Sequence, residues 1–281
     1  MKNATIILVT NVETPVDEIS SFCTQARDVD AYLVVLVQTI SPTLPINVHG
    51  GLPFGGPTEA EIWTKEIAAT KSSLDSATHA AQTLLVDTGC KGEVRPIVCA
   101  EAEISEAVAQ SAKFADYVFI ASNIRDDKDL YKSLAHGVLF ESPVALFLNA
   151  QIAERYDHIL VAWNDSLCAA RAVHSALPLL RNSKKVTVVC VDPLPISHGQ
   201  PFEPGAALST WLSHHTCNVE VAQIPSGGKD ISACILDMAR DVGADLVVAG
   251  AYSHSRMRQA IFGGTTRTLL EQDSQPVYLA H

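Results

Sequence analysis

The residue types best suited to chemistry lie in one stretch near the C-terminus. It runs from Asp245 through Gly250, Ser253, His254, Arg256 and Arg258 to Gly263, Gly264, Thr265, Thr266 and Arg267. An apolar run ending at Gly250 reads as a buried strand, a polar loop follows, and Gly263-Gly264-Thr265-Thr266 opens a helix. Such a turn suits a phosphate. Glycines remove the Cβ that would keep a ligand from the backbone N–H groups. A helix start adds uncommitted donors and the positive end of a dipole, and threonine hydroxyls add more. The competing reading is a glycine turn that opens a helix and holds no ligand. Arg256, Arg258 and Arg267 form the sole basic cluster, and His254 sits in the same loop; both read more simply as solvated groups.

Other catalytic patterns are thin. Ser226-Gly-Gly-Lys-Asp230 looks like the Ser-Gly-Gly-x-Asp-Ser loop of ATP pyrophosphatases, but Ile231 stands where that loop has serine, and the segment does not follow the first strand of a domain. It reads as a strand-to-helix connection with Asp230 as the helix N-cap. No HExxH, no Cys/His set with zinc spacing and no Gly-x-Ser-x-Gly elbow occurs. The adjacent His214 and His215 cannot share one helical face. The chain reads as a non-enzyme with no metal site.

The elements that must position the loop come in two copies. Cys90–Ile97 aligns with Cys217–Ile224, Ile104–Val108 with Ile231–Ile235, Ala115–Ser122 with Ala244–Ala251, and Ser142–Phe147 with Gln275–Ala280. The openings Ile6–Thr10 and His158–Ala162 also match. Five segments in one order make a tandem duplication. Each copy alternates strands and helices. The strands are continuous Val/Ile/Leu runs, as in a parallel sheet covered on both faces. The helices carry apolar residues three and four apart, such as Ile231, Cys234, Ile235 and Met238. The pattern predicts two doubly wound α/β domains, 1–149 and 156–281, each with a mainly five-stranded parallel sheet, joined through Asn149–Asp157. Copy one carries a Gly/Pro-rich insert over 41–57, read as a solvated connection, and then a long helix from about Thr58 to Asp87. Copy two has a shorter version, Pro193–Gly205, and a helix containing Trp211.

Composition narrows the function. In 281 residues, 47% are hydrophobic and 18% charged, enough for real cores. With 20 Lys plus Arg against 31 Asp plus Glu, the net charge of −11 argues against nucleic acid and anionic membranes as partners. No apolar run reaches the length of a membrane span, and the run in Met1–Thr10 is too short for a secretory segment. The 7 scattered cysteines, without a CxxC, predict a reducing cytoplasmic setting.

With these residues in view, the chain resembles the universal stress proteins, whose C-terminal signature is Gly-x2-Gly-x9-Gly-(Ser/Thr). Gly250 and Gly263 take the first and third glycine places, and Ser253 and Gly264 replace the second glycine and the hydroxyl residue. Ile159–Ser166 is similar to the family's first strand and its Asp-Gly-Ser turn, here Asn164-Asp165-Ser166, and Pro276–Leu279 is similar to its closing strand. The resemblance implies tandem domains of the adenine nucleotide alpha hydrolase-like, Rossmann-like type, cytoplasmic and paired through their last strands as an intramolecular pseudo-dimer, with homo-oligomers and an unknown protein partner open. It implies a non-catalytic stress-response protein that binds ATP or a related adenine nucleotide, with or without magnesium, in the C-terminal domain. The residues carried over are Asn164, Ser166, Gly250, Ser253, Gly263, Gly264, Thr265 and Thr266. Val191, ending the second strand, adds backbone groups for a base at the same crevice. Copy one has Ser122–Tyr131 in place of the signature, with Asp126, Asp127 and Asp129 set to repel phosphate. The alternative is a ligand-free scaffold acting through protein contacts.

Overall fold

The computed structural model describes residues 1–43, 59–193, 196–197, 200–201, 203–251 and 264–281. By contacts the chain divides into two compact units, Asn3–Ser142 and Pro143–His281, the latter together with Met1–Lys2.

The first unit holds strands β1 (Thr5–Asn11), β2 (Tyr32–Ile40), β3 (Gly92–Cys99) and β4 (Tyr117–Ile120), in the order β4-β1-β2-β3 and all parallel. Helices α1 (Val16–Asp28), α2 (Glu59–Thr88), α3 (Ile104–Ala112) and α4 (Lys128–Glu141) connect or follow them. β1 and β2 are apolar without alternation because both faces are covered: Ile6, Leu8, Leu33 and Leu36 are fully buried. The 30-residue α2 starts within a residue of the sequence reading and buries Leu74, Ala81 and Leu85 along one stripe. The insert over 41–57 lies almost entirely outside the described residues.

The second unit repeats the plan with β6 (His158–Ala162), α5 (Leu167–Asn182), β7 (Lys185–Val191), α6 (Ala206–His214), β10 (Val219–Ile224), α7 (Ile231–Asp241), β11 (Leu246–Gly250), α8 (Gly264–Glu271) and β12 (Val277–Ala280). Between β7 and α6 sits a short antiparallel pair, β8 (Ile196–Ser197) with β9 (Gln200–Pro201). The five main strands are parallel in the order β10-β7-β6-β11-β12. The unit also takes in β5 (Ala145–Leu148), the closing strand of the first repeat, which pairs antiparallel with β12 through Leu148–Val277, Phe147–Tyr278 and Leu146–Leu279. The Phe147 and Tyr278 rings meet edge to face at 5.1 Å. The fold is the doubly wound α/β arrangement, with four parallel strands in the first unit because the fifth strand of that repeat is counted with β12.

In each order the chain reverses direction between the first strand and the fourth, at β1/β4 and at β6/β11. Right-handed crossovers then set the helices before and after that reversal on opposite faces and leave a crevice at the carboxyl ends of those strands.

Candidate functional site

In the second unit that crevice is a cavity of about 100 Å3. It is lined by Trp163 and Asn164 after β6, Val191 at the end of β7, Gly250 at the end of β11, Ile231 and Ile235 on α7, and Thr265 and Thr266 on α8. None of its described lining residues is charged.

Local chemistry fixes each wall. β6 ends in a turn in which the Asn164 side-chain oxygen accepts from Ser166 N at 3.3 Å. Asp165 between them has φ +59°, the left-handed region that short polar side chains tolerate. Ser166 then caps α5, its hydroxyl accepting from Ala169 N at 3.2 Å. Beyond β7, Asp192 accepts from Ser226 N at 2.8 Å. Hydrogen bonds from Ser226 hold the Asp192 carboxyl below its ordinary range. This bond pins the Ser226–Asp230 connection, where Gly227 and Gly228 adopt φ +60° and +84°. Asp230 occupies the N-cap of α7, although its carboxylate makes no capping bond.

The structure thus brings five of the sequence-selected residues, Asn164, Val191, Gly250, Thr265 and Thr266, around one cavity. Ser166 stands beside it as a helix cap. Gly264 opens α8 on the exposed side, where an added Cβ would meet nothing within 4 Å among the described residues. Ser253 and Gly263 lie outside the described residues, as do His254, Arg256 and Arg258. Arg267, the described member of the basic cluster, pairs with Glu271 at 2.9 Å. Gly250 has a use the sequence does not show: a Cβ there would lie 2.5 Å from the Ala169 nitrogen and the Cys168 carbonyl carbon. Its missing side chain makes room for the backbone of α5. The sequence reading missed the apolar wall of Trp163, Ile231 and Ile235. A signal was present in Ile231, an apolar residue placed directly after an N-cap, where it remains 39% exposed.

At the same place in the first unit, the described polar side chains bond to one another. Asn11 Oδ1 accepts from Thr14 Oγ1 at 3.0 Å and from Asn123 Nδ2 at 2.9 Å. Glu18 accepts from both the nitrogen and the hydroxyl of Ser122, at 2.7 and 2.9 Å. Gln38 takes the strand-end place that Val191 holds in the other repeat; it is buried, and its Oε1 has no partner among the described residues. The loop after β4 folds as a 3-10 turn, Ser122–Asp126, and Asp127 caps α4 by accepting from the nitrogens of Asp129 and Leu130. Arg125 lies 5.0 Å above the Tyr131 ring, whose phenol burial pushes up to about 12.

A doubly wound unit with a crevice at its switch point, walled by an asparagine turn and a Gly-Thr-Thr helix start, places the chain in the Rossmann-like α/β class. The comparisons make this specific. Residues 155–281 match the model of the universal stress protein family. A universal stress protein from Archaeoglobus fulgidus DSM 4304 is similar over 99% of this chain and 96% of its own, at 14% identity and a TM-score of 0.64. A putative universal stress protein from Pseudomonas aeruginosa UCBPP-PA14 is similar over 99% of this chain and 92% of its own, at 13% identity and a TM-score of 0.53. No curated protein matches the sequence. The family match lies in the C-terminal region, and the whole chain shares the fold of these two solved proteins. Among the described residues no helix is long and apolar enough to cross a membrane.

Proposed function

We propose that the chain is a stress-response protein without catalytic activity that binds ATP or a related adenine nucleotide in the crevice of its second unit. The family match supports the stress-response role. The observation that carries the nucleotide reading is the lining: Asn164, Val191, Gly250, Thr265 and Thr266 converge on a cavity with no described carboxylate to repel a phosphate. In this reading the base lies against the Val191, Ile231 and Ile235 side. The phosphates face the first turn of α8, where N–H groups and the helix dipole favour negative charge. Asn164 is then the hydrogen-bonding partner of a ribose hydroxyl. Any magnesium arrives with the phosphates, and the work is done in the cytoplasm with a protein partner or a second copy.

Calorimetric titration of the full chain with ATP and AMP, with and without magnesium, tests this. One site is expected. Ile231→Trp, which fills the cavity from an exposed position, and Gly263→Val, which alters the signature glycine, should each weaken binding at least about tenfold, the equivalent of one lost charged hydrogen bond. A wild-type chain giving no heat at about millimolar nucleotide, a ΔG of only about −4 kcal/mol, would favour the ligand-free scaffold. Release of pyrophosphate that depends on Asp230 would reinstate an enzyme.

A further inference from the structure

In the first unit the C-terminal end of α1 is tied to the junction between α2 and β3 on both sides of one cysteine. Arg27 Nη1 donates to the Thr88 carbonyl oxygen at 3.1 Å, and Lys91 Nζ donates to Asp30 Oδ1 at 2.7 Å. Cys90 stands between Thr88 and Lys91, 8% exposed, with its Sγ 3.6 Å from the Lys91 carbonyl oxygen. On α1, Cys23 precedes Arg27 by one helical turn and so faces the same junction; it is fully buried. The two thiols are neighbours there, and neither is in a disulfide.

Two properties separate this pair from thiols that only pack. The Cys23 thiol and, after it, the Arg27 charge hold the Cys90 thiol below its ordinary range against burial, whereas the Cys90 neighbour and burial push the Cys23 thiol up. Cys90 therefore ionises first, and it is the one of the two that keeps contact with solvent. A thiolate within reach of solvent, beside a second thiol, is the arrangement that peroxides attack. The second unit lacks it: Cys217 matches Cys90, but Ala176 occupies the Cys23 place, and burial raises the Cys217 thiol.

We propose that Cys23 and Cys90 are an oxidation site, a dithiol that a hydroperoxide converts to a disulfide joining α1 to the α2–β3 junction. The Cys90 sulfur takes the outer oxygen of the peroxide as the O–O bond breaks. That leaves a sulfenic acid, and the thiol proton goes to the departing oxygen, released as water or an alcohol. The Cys23 sulfur then displaces the sulfenic hydroxyl, which leaves as water with the Cys23 proton. Two thiol hydrogens and two electrons have passed to the peroxide, and a thiol reductant reverses the change by exchange. In a reducing compartment such a disulfide is transient, as redox-sensing ones are. Nothing in this chemistry depends on what the crevice of the second unit holds.

The test uses the full chain, folded and fully reduced. It is exposed to hydrogen peroxide, then unfolded with iodoacetamide to block the remaining thiols, and the unreduced digest is mapped by mass spectrometry. A Cys23–Cys90 linked peptide is expected, absent before peroxide and lost again with dithiothreitol, while Cys217 is recovered alkylated. In Cys23→Ala no neighbour captures the Cys90 sulfenic acid. Its sulfinic form should then rise about tenfold or more over wild type, the advantage of an intramolecular over a bimolecular step. Should that variant fold poorly, the wild-type map alone decides. Cys90 that resists peroxide, Cys23 recovered alkylated after Cys90 is oxidised, or Cys90 linked to another cysteine would overturn the proposal. So would a Cys90 sulfinic yield in folded Cys23→Ala equal to that of wild type.

Discussion

One sheet end was built twice in this molecule, and the two versions solve different problems. β11 ends at Gly250 and α8 starts at Gly264-Thr265-Thr266, with a cavity between them among the described residues. After β4 the chain turns through Ser122–Asp126, and the Asp127 carboxylate takes the first donors of α4. Those are the donors that a phosphate would use. The walls differ in the same sense. Ile231 is 39% exposed and lines the cavity, whereas its repeat counterpart Ile104 is 1% exposed. Duplication supplied two switch-point sites; in the first unit Asn11, Thr14 and Asn123 hydrogen-bond to one another there, and Glu18 binds Ser122.

The sharpest way to break the comparison is at Gly250, whose counterpart, Ala121, already carries a Cβ. In that copy α1 opens at Val16, two residues later than register equivalence with α5 would start it. Gly250→Val is expected to cost about 3 kcal/mol or more, since the clashing atoms are backbone and cannot turn aside. Gly264→Ala, in open space on a helix, should be neutral or stabilising by up to about 1 kcal/mol. Denaturant unfolding checks both; equal effects would mean that the glycines do not have separate roles.

A smaller effect is expected at the first copy. Asp127→Ala removes a two-bond helix cap and should destabilise the first unit by about 1 kcal/mol, read by exchange at Asp129 and Leu130. If protection there is unchanged, the carboxylate is not what satisfies that helix start.

Next comes pH. The Asp192 carboxyl is held low chiefly by Ser226, so its contribution is present above the unfolded-state value and lost as pH falls through the lowered folded value. Acidification should release the Ser226 amide before the strand amides of β7, by NMR exchange, and Asp192→Asn should remove that step.

The smallest effect concerns the landmark cysteines. The neighbouring Cys23 thiol and the Arg27 charge lower the Cys90 thiol, while burial raises that of Cys217. Ala176 stands in α5 where α1 has Cys23, so the second copy lacks that neighbour. With equal exposure of 8%, Cys90 should be alkylated by iodoacetamide before Cys217 at mildly alkaline pH, as mass spectrometry can follow. Cys23→Ala should narrow the difference.

The sequence by itself determined the duplication, the alternation of strands and helices, the long α2 and the placing of Asn164, Val191, Gly250, Thr265 and Thr266 at the carboxyl ends of their strands. These follow from local pattern: apolar runs, helical spacing and glycine positions repeat in order along the chain, and strand-to-helix turns in a doubly wound sheet share one edge. Only the tertiary structure decided that Gly250 makes room for the backbone of α5, that Trp163, Ile231 and Ile235 complete the wall, that β5 pairs with β12, and that the His158 ring meets Thr187 on the neighbouring strand. Each of these depends on atoms far apart in sequence meeting within a few ångströms, and no local pattern encodes which backbone will approach a missing Cβ or which hydroxyl a distant imidazole will find.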